Sequence, residues 1–479
     1  MMTIDMHNRR LRSWPLYVAV IAAFIQPVTS PAVHAAEQPN IIFLFTDDQA
    51  PGMTGFEGNT VVKTPHLDQL AAESIQFTRC YVPTPQCAPS RASVLTGRYP
   101  HATGVTTNGP TLDPSKDTFT ERLKRAGYDC GVVGKWHLSY ENAPKPGFGL
   151  ADFVATCDKK WSWENCDIWT NGQKGKADKF LTDWIADRAI EFIDKPHDKP
   201  FFLWVCFRAP HGPLTYPPAT ENLYPPASVD LPETMGYELT GLPRVLTKSE
   251  PAMRFRQKNE QQIREARSKY YAMITHLDKN IGRILERVND RKSQERTVVV
   301  FASDNGFALG EHRLFSKGPA FFEELVRIPL LVRYPALSQT GQKNDRVVSL
   351  IDLAPTFLEL AGLDAPVTMQ GTSLIPIIKN PKTRRHSDES FFEYHEQGGG
   401  VFPVRGLVTK QYKFIDYLES DDILYDLKRD PQELHNAIND VEYRAIIEVL
   451  RIRLRAWQKQ TKDPEYKGAA LGFATPVFP

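Results

Sequence analysis

Asn40-Ile41-Ile42-Phe43-Leu44-Phe45-Thr46-Asp47-Asp48-Gln49 is the stretch on which the fold class of this chain turns. From Ile41 to Phe45 the side chains are apolar without a break, where a strand wetted on one face would alternate. A strand buried on both faces reads this way, and such strands belong to parallel sheets covered by helices. The run stops at Thr46, and two carboxylates follow. Similar runs recur at 128–134, 201–207, 297–302 and 328–333. Helical patterns lie between them: 65–74, with Thr64 as cap and Pro65 in the first turn; 118–126, ended by Gly127; 183–192; and 259–288. Strands alternating with helices predict an α/β class, a large mixed, mostly parallel sheet flanked by helices on both faces. Sites in such sheets form beyond the carboxyl ends of the strands, which is where Asp47 and Asp48 stand.

The texture changes beyond residue 385. Short alternating segments at 390–394, 404–409 and 411–417 read as an antiparallel meander, closed by a helix near 441–459. The expected organisation is a large α/β domain over 36–385 and a smaller C-terminal antiparallel-sheet subdomain over 386–479. Ahead of both, Arg9, Arg10 and Arg12 precede a short apolar run at 18–25, and Val33-His34-Ala35 offers small residues before a cut between Ala35 and Ala36. That order predicts a cleaved secretory signal over 1–35. Gln26 and Pro27 interrupt the apolar run well short of the ~20 residues a membrane span needs. The expected location is therefore periplasmic or secreted, with no stable membrane span.

Composition narrows the function. The 479 residues carry 58 Lys+Arg against 57 Asp+Glu, a net charge of +1, so counterion-driven binding of nucleic acid is not expected. Six cysteines are too few for a disulfide scaffold in a chain of this length. The 37 prolines exceed the roughly 24 that average usage would give, which favours loops over a helix bundle.

Two strand ends carry clustered oxygen donors, Asp47-Asp48 and Asp304-Asn305. One such pair reads most simply as a turn or a cap. Two pairs on separate buried strands suit a hard divalent cation, Ca2+ or alternatively Mg2+. The segment Cys87-Ala88-Pro89-Ser90-Arg91-Ala92-Ser93-Val94-Leu95-Thr96-Gly97 then matches C-x-P-S-R-x-x-x-L-T-G at each specified position. On this motif the chain resembles the type I, formylglycine-dependent sulfatases of the alkaline-phosphatase-like superfamily. Further blocks resemble that family in the expected order. They are Thr64-Pro65-His66-Leu67-Asp68, Gly134-Lys135-Trp136-His137-Leu138 with Ser139 where the family has glycine, Pro210-His211-Gly212-Pro213, Gly310-Glu311-His312 followed by Lys317, and Tyr425-Asp426-Leu427 with Asp430-Pro431 and Glu433. The resemblance covers about residues 38 to 437.

A crowded, anionic sulfate ester resists attack by oxygen. Its hydrolysis needs a strong nucleophile, a cationic cage and an acid for the leaving alcohol. The resemblance implies all three. Cys87 would be oxidised to formylglycine by a separate maturing enzyme, and with Asp47, Asp48, Asp304 and Asn305 it would complete a metal shell. Arg91 lies four residues on, one turn along a helix expected to begin near Pro89. Lys135, Lys317 and His211 would bind the sulfate oxygens. His211 with Lys317 would protonate the leaving oxygen, and His137 would take a proton at residue 87.

Specificity is expected in surrounding loops. The segment 140–173 carries Trp161, Trp163 and Trp169, which suit either a platform for sugar rings or packing of the loop. The segment 395–405, with Gly398-Gly399-Gly400 and Arg405, is expected to reach toward the site. A sulfated carbohydrate, polysaccharide or oligosaccharide, is the expected substrate. The alternatives are an aryl or alkyl sulfate, or the phosphonate monoester hydrolase and phosphodiesterase chemistry of the same superfamily.

Overall fold

Asn40–Asp47 (β1) is buried along nearly its whole length, as its apolar run requires. Ile41, Phe43 and Phe45 feed one hydrophobic core and Ile42 and Leu44 the other, on opposite faces of one sheet. The computed structural model describes residues 38–139, 148–157, 162–237, 242–290, 294–337, 341–384, 388–395, 403–417 and 422–465. The expected secretory signal, Trp161 and Gly398-Gly399-Gly400 lie outside the described residues.

The strands that follow are β2 (Ile75–Tyr81), β3 (Asp129–Lys135), β4 (Phe153–Cys157), β5 (Asp167–Thr170), β6 (Gln173–Lys176), β7 (Phe201–Pro210) and β8 (Thr297–Ser303). A short hairpin, β9 (Ala308–Leu309) and β10 (Phe315–Ser316), precedes β11 (Arg327–Arg333) and β12 (Lys343–Ser349). Ten of these strands form one sheet in the order β12-β2-β11-β8-β1-β7-β3-β4-β5-β6. β1 pairs in parallel with β7 and β8, and β3 in parallel with β7 and β4. The carboxyl ends of β8, β1, β7 and β3 therefore lie side by side. β11, which reads in sequence like the parallel strands, runs antiparallel to both β8 and β2. Burial on both faces explains the likeness: it fixes composition, not direction.

Helices cover both faces. α1 (Pro65–Ala72), α4 (Leu181–Asp194) and α5 (Glu260–Asn289) pack on one side, while α2 (Cys87–Thr96), α3 (Phe119–Arg125) and α6 (Leu353–Leu360) pack on the other. α5 opens with a reciprocal cap, in which Asn259 and Gln262 each bond the other's backbone N–H (2.9 and 3.0 Å). Thr118 caps α3 through the Glu121 N–H. Thr64 does not cap α1 with its side chain. Its hydroxyl accepts from the Gly55 N–H (2.8 Å) and donates to Asp68 (3.1 Å), tying the preceding loop to the helix.

A separate antiparallel sheet runs β13 (Glu389–Tyr394), β14 (Val404–Thr409), β15 (Tyr412–Asp416) and β16 (Ile423–Asp426) in sequential order. One face, including Val404, Val408, Ile415 and Tyr425, joins the core of the large sheet. The other, with Leu407, Phe414 and Leu424, is covered by α7 (Arg444–Thr461) through Ile447, Leu450, Leu454 and Trp457. From Gln38 onward the described residues form one compact unit. Among the described residues no helix is long and apolar enough to cross a membrane.

Candidate active site

Each contributing segment meets a local constraint at its strand end. β1 hands over to Asp48 in a left-handed conformation (φ +65), and Tyr270 of α5 holds that turn. The Tyr270 hydroxyl donates to the Asp48 carbonyl (2.6 Å) and accepts from the Ala50 N–H (2.9 Å). β8 hands over to Asp304 and Asn305, and the Asp48 N–H donates to Asp304 Oδ1 (3.1 Å). The next residue must be glycine, because a Cβ on Gly306 would lie 1.9 Å from the Glu324 carbonyl oxygen. Gly134, just before Lys135, has φ +98, and a Cβ there would lie 2.0 Å from the Cys206 carbonyl oxygen. Both glycines let backbones close up where the site needs them.

α2 starts at Cys87, two residues earlier than expected, with Gln86 as N-cap. Cys87 thus occupies the first turn, where free N–H groups and the helix dipole favour negative charge. All ten residues of α2 are buried. The Cys87 thiol donates to Asp47 Oδ1 (3.2 Å) and lies 4.0 Å from Asp48 Oδ1. Burial pushes this thiol above its ordinary pKa, so as cysteine it is not an activated thiolate.

Three cations interleave with three carboxylates. Arg91 donates through Nε to Asp304 Oδ2 (2.9 Å) and through Nη1 to the Lys135 carbonyl (2.9 Å), with Nη2 3.8 Å from Asp47. Lys135 pairs with Asp47. Lys317 pairs with Asp48 and also reaches Cys87 Sγ (2.7 Å) and Asn305 Oδ1 (3.1 Å). His211 Nε2 stands 3.7 Å from Asp48 Oδ2. Burial opposes ionisation of Asp47, yet Lys135, His211, Arg91 and Lys317 hold it well below the usual carboxylate range. Asp304 goes the other way, pushed up to about 7 by burial and by the charge of Asp47. Burial also lowers His211.

These donors fit a hard divalent cation. Atoms of Asp47, Asp48, Cys87 and His211 lie within 4.8 Å of one another. Asp304 and Asn305 border the same space through Asp48, and four of the five expected ligands offer oxygen. The three cations only balance the three carboxylates. A divalent ion would supply the surplus that an arriving anion needs.

His137 lies two residues beyond Lys135, half-buried in a left-handed turn (φ +61). Arg405 does not reach the site; it is buried in the small sheet, bonded to Asp463. Trp163 is no sugar platform. It is buried, stacks on Phe180 (5.5 Å, 8°) and donates its Nε1–H to the carbonyl of Pro213 (2.7 Å), so it braces the turn that carries His211. Trp169 is half-buried with the Lys174 ammonium over its ring. Of the two readings open for Trp163, loop packing is the one the structure bears out. Sequence reasoning missed the supports Tyr270 and Ser303; the Ser303 hydroxyl accepts from the Gln49 N–H (3.0 Å) and donates to the Asn305 carbonyl (2.9 Å).

Comparisons with known proteins bear on the family and the fold. The sulfatase family profile matches residues 39–363, and that of the N-sulphoglucosamine sulphohydrolase C-terminal region matches 310–460. The N-acetylglucosamine-6-O-sulfatase of Bacteroides thetaiotaomicron is 30% identical over 525 residues, covering 95% of this chain and 93% of that protein. A solved structure in complex with its substrate, D-glucosamine-2-N,6-O-disulfate, superposes with a TM-score of 0.79 at 28% identity, covering 90% of this chain and 100% of the other. The phosphonate monoester hydrolase of Agrobacterium radiobacter shares the fold, with a TM-score of 0.73 at 21% identity over 88% of this chain and 96% of that one. An α/β sheet with this cluster at its strand ends, a profile match over most of the chain and a relative matched along nearly its full length establish that the chain belongs to the alkaline-phosphatase-like sulfatase family.

Proposed function

We propose that the protein hydrolyses a sulfate ester on a carbohydrate, with residue 87 in the formylglycine form and Ca2+ or Mg2+ held by Asp47, Asp48, Asp304 and Asn305. The observation that carries the reading is the packing of Arg91, Lys135 and Lys317 around the head of α2, beside four oxygen donors. When present, the cation and the formylglycine supply an oxygen nucleophile stronger than any unmodified side chain here.

The chain's own residues do the rest. Lys135, Lys317 and His211 bind sulfate oxygens, and fixed cations in a dry site are the largest expected catalytic contribution. Arg91 holds Asp304 and the end of β3 in register with residue 87. His211, with Lys317, gives a proton to the leaving alcohol oxygen; the charge of a bound sulfate favours its protonated form, offsetting burial. His137 accepts the proton released at residue 87. The substrate class is a sulfated amino sugar or a glycan containing one, supported by what the named relative and the bound disulfate are. We also propose that residues 1–35 direct export and are removed, so the mature chain starts at Ala36.

Protein from a host with the maturing enzyme should carry a Cys87 peptide about 18 Da lighter than the unmodified one. It should release sulfate from 6-O- or N-sulfated glucosamine and lose that activity on chelation of divalent ions. An intact thiol in active protein would refute the formylglycine assignment. Preferential turnover of a phosphodiester over the matching sulfate ester would move the protein to the phosphonate hydrolase branch.

A further inference from the structure

Lys317 sits on a loop, yet its ammonium meets Asp48, Cys87 and Asn305 at once. A lysine side chain has about 2 kcal/mol of rotamer entropy to lose, so the backbone that launches it must be fixed. Both feet of the loop run into a second buried cluster. At the near foot, His312 has left-handed backbone (φ +48), and its ring lies parallel to Phe322 at 3.8 Å. Its Nε2 is 3.5 Å from Glu324. At the far foot, Lys413 of β15 donates to the Phe321 carbonyl (2.8 Å) and pairs with Glu323 (2.8 Å) and Glu433 (2.6 Å). Glu433 accepts from the Glu323 backbone N–H (2.7 Å). Lys413 and Glu433 are both at most 1% exposed.

Lys317 is thus the tip of a loop stapled at both feet, and the far staple comes from the C-terminal sheet. The same segment abuts the metal-site turn, since the Gly306 N–H donates to the Leu325 carbonyl (2.9 Å). His312, Glu324 and Glu433 could by spacing hold a metal ion. The Lys413 ammonium already bonded to Glu433 fills that role, and a second cation beside it would be repelled.

We propose that Lys413 and Glu433 are positioning residues for sulfate binding and act through Lys317. The proposal rests on the reading above in which Lys317 contacts the sulfate. The test is the dissociation constant of inorganic sulfate for the matured, metal-loaded full chain, measured by calorimetry. Loss of folded protein lowers the apparent number of sites but leaves that constant alone. Lys317→Ala should weaken sulfate about tenfold, and Glu433→Gln, which keeps the shape but not the charge, about fivefold. The double variant should stay near tenfold rather than reach about fiftyfold, because both changes remove one interaction. Should Glu433→Gln fail to fold, Lys413→Gln replaces it under the same expectations. Native affinity with fewer sites in Glu433→Gln would show a purely structural role and overturn the proposal, as would fiftyfold loss in the double variant. Native affinity in Lys317→Ala would instead sink the sulfate role of Lys317 itself, and this proposal with it.

Discussion

Arg91 is held on two sides, by Asp304 through Nε and by the Lys135 carbonyl through Nη1, and both charged side chains are buried. A lysine carries its three donors on one nitrogen, so it cannot place donors at the two separate positions that Nε and Nη1 of the planar guanidinium occupy. Arg91→Lys should therefore lower kcat about 10²-fold, typical of losing one preorganised donor. Steady-state rates and thermal denaturation of the same preparation check this; a rate within threefold of native would show that charge alone suffices. The residues that cluster around Cys87 were legible in the sequence because chemistry at a strand end leaves unusual neighbours, such as Asp47-Asp48 after five apolar residues and Thr46, or a cysteine framed by Pro89, Ser90 and Arg91. Tyr270 and Ser303 were not, because each sits inside an ordinary helix or strand pattern. Only the fold reveals that Tyr270 reaches back 222 residues to hold the Asp48 turn.

Among the elements of the large sheet, central strands were legible and strands near its edges were not. β1, β3, β7 and β8 are buried on both faces and declare themselves by composition. β2 (IQFTRCY) mixes polar residues into its run, β12 begins on Lys343-Asn344-Asp345, and β6 (QKGK) is exposed throughout. Strands near or at an edge answer to solvent as much as to a core. Elements also meet through charge. His101, in the helical turn after α2, bonds Glu393 of β13 through its N–H (2.6 Å) and Nδ1 (2.5 Å), and the Thr461 carbonyl at the end of α7 through Nε2 (3.0 Å). Burial works against the His101 charge, but Glu393 raises its pKa above the ordinary value. Burial likewise opposes ionisation of Glu393, but bonds from His101 and His395, with the charges of His101 and Arg405, hold it far below the carboxylate range. The contribution of His101 is complete below about pH 6.5 and is lost as pH rises through its raised value. That of Glu393 is complete above about pH 4.3 and is lost toward acid. His101→Gln should cost about 2 kcal/mol near pH 6 and less at pH 9. Melting temperatures across pH 6–9 read this directly; a native-like slope in the variant would show that another group titrates.

At the scale of the whole molecule, the small sheet is built into the large core on one face and sealed by α7 on the other. After α7 the chain turns through Lys462 (φ +59) and returns Asp463 to Arg405, with bonds of 2.7 and 2.8 Å between fully buried side chains. Arg405 also donates to the carbonyls of Tyr394 and Val404, so one guanidinium joins β13, β14 and the segment after α7. Breaking a buried pair from one side leaves an uncompensated charge, which costs about 3–5 kcal/mol. Replacing both partners with apolar residues of similar volume removes the desolvation penalty as well. Asp463→Ala should therefore lower the melting temperature by several degrees, and Arg405→Met with Asp463→Leu should recover most of the loss. If the small sheet frames the Lys317 loop, Asp463→Ala should also weaken sulfate before it unfolds the protein, because Lys413 lies on β15 of that sheet. A melting shift with unchanged sulfate affinity would confine the Arg405 pair to stability and leave the Lys413–Glu433 staple to hold the loop unaided.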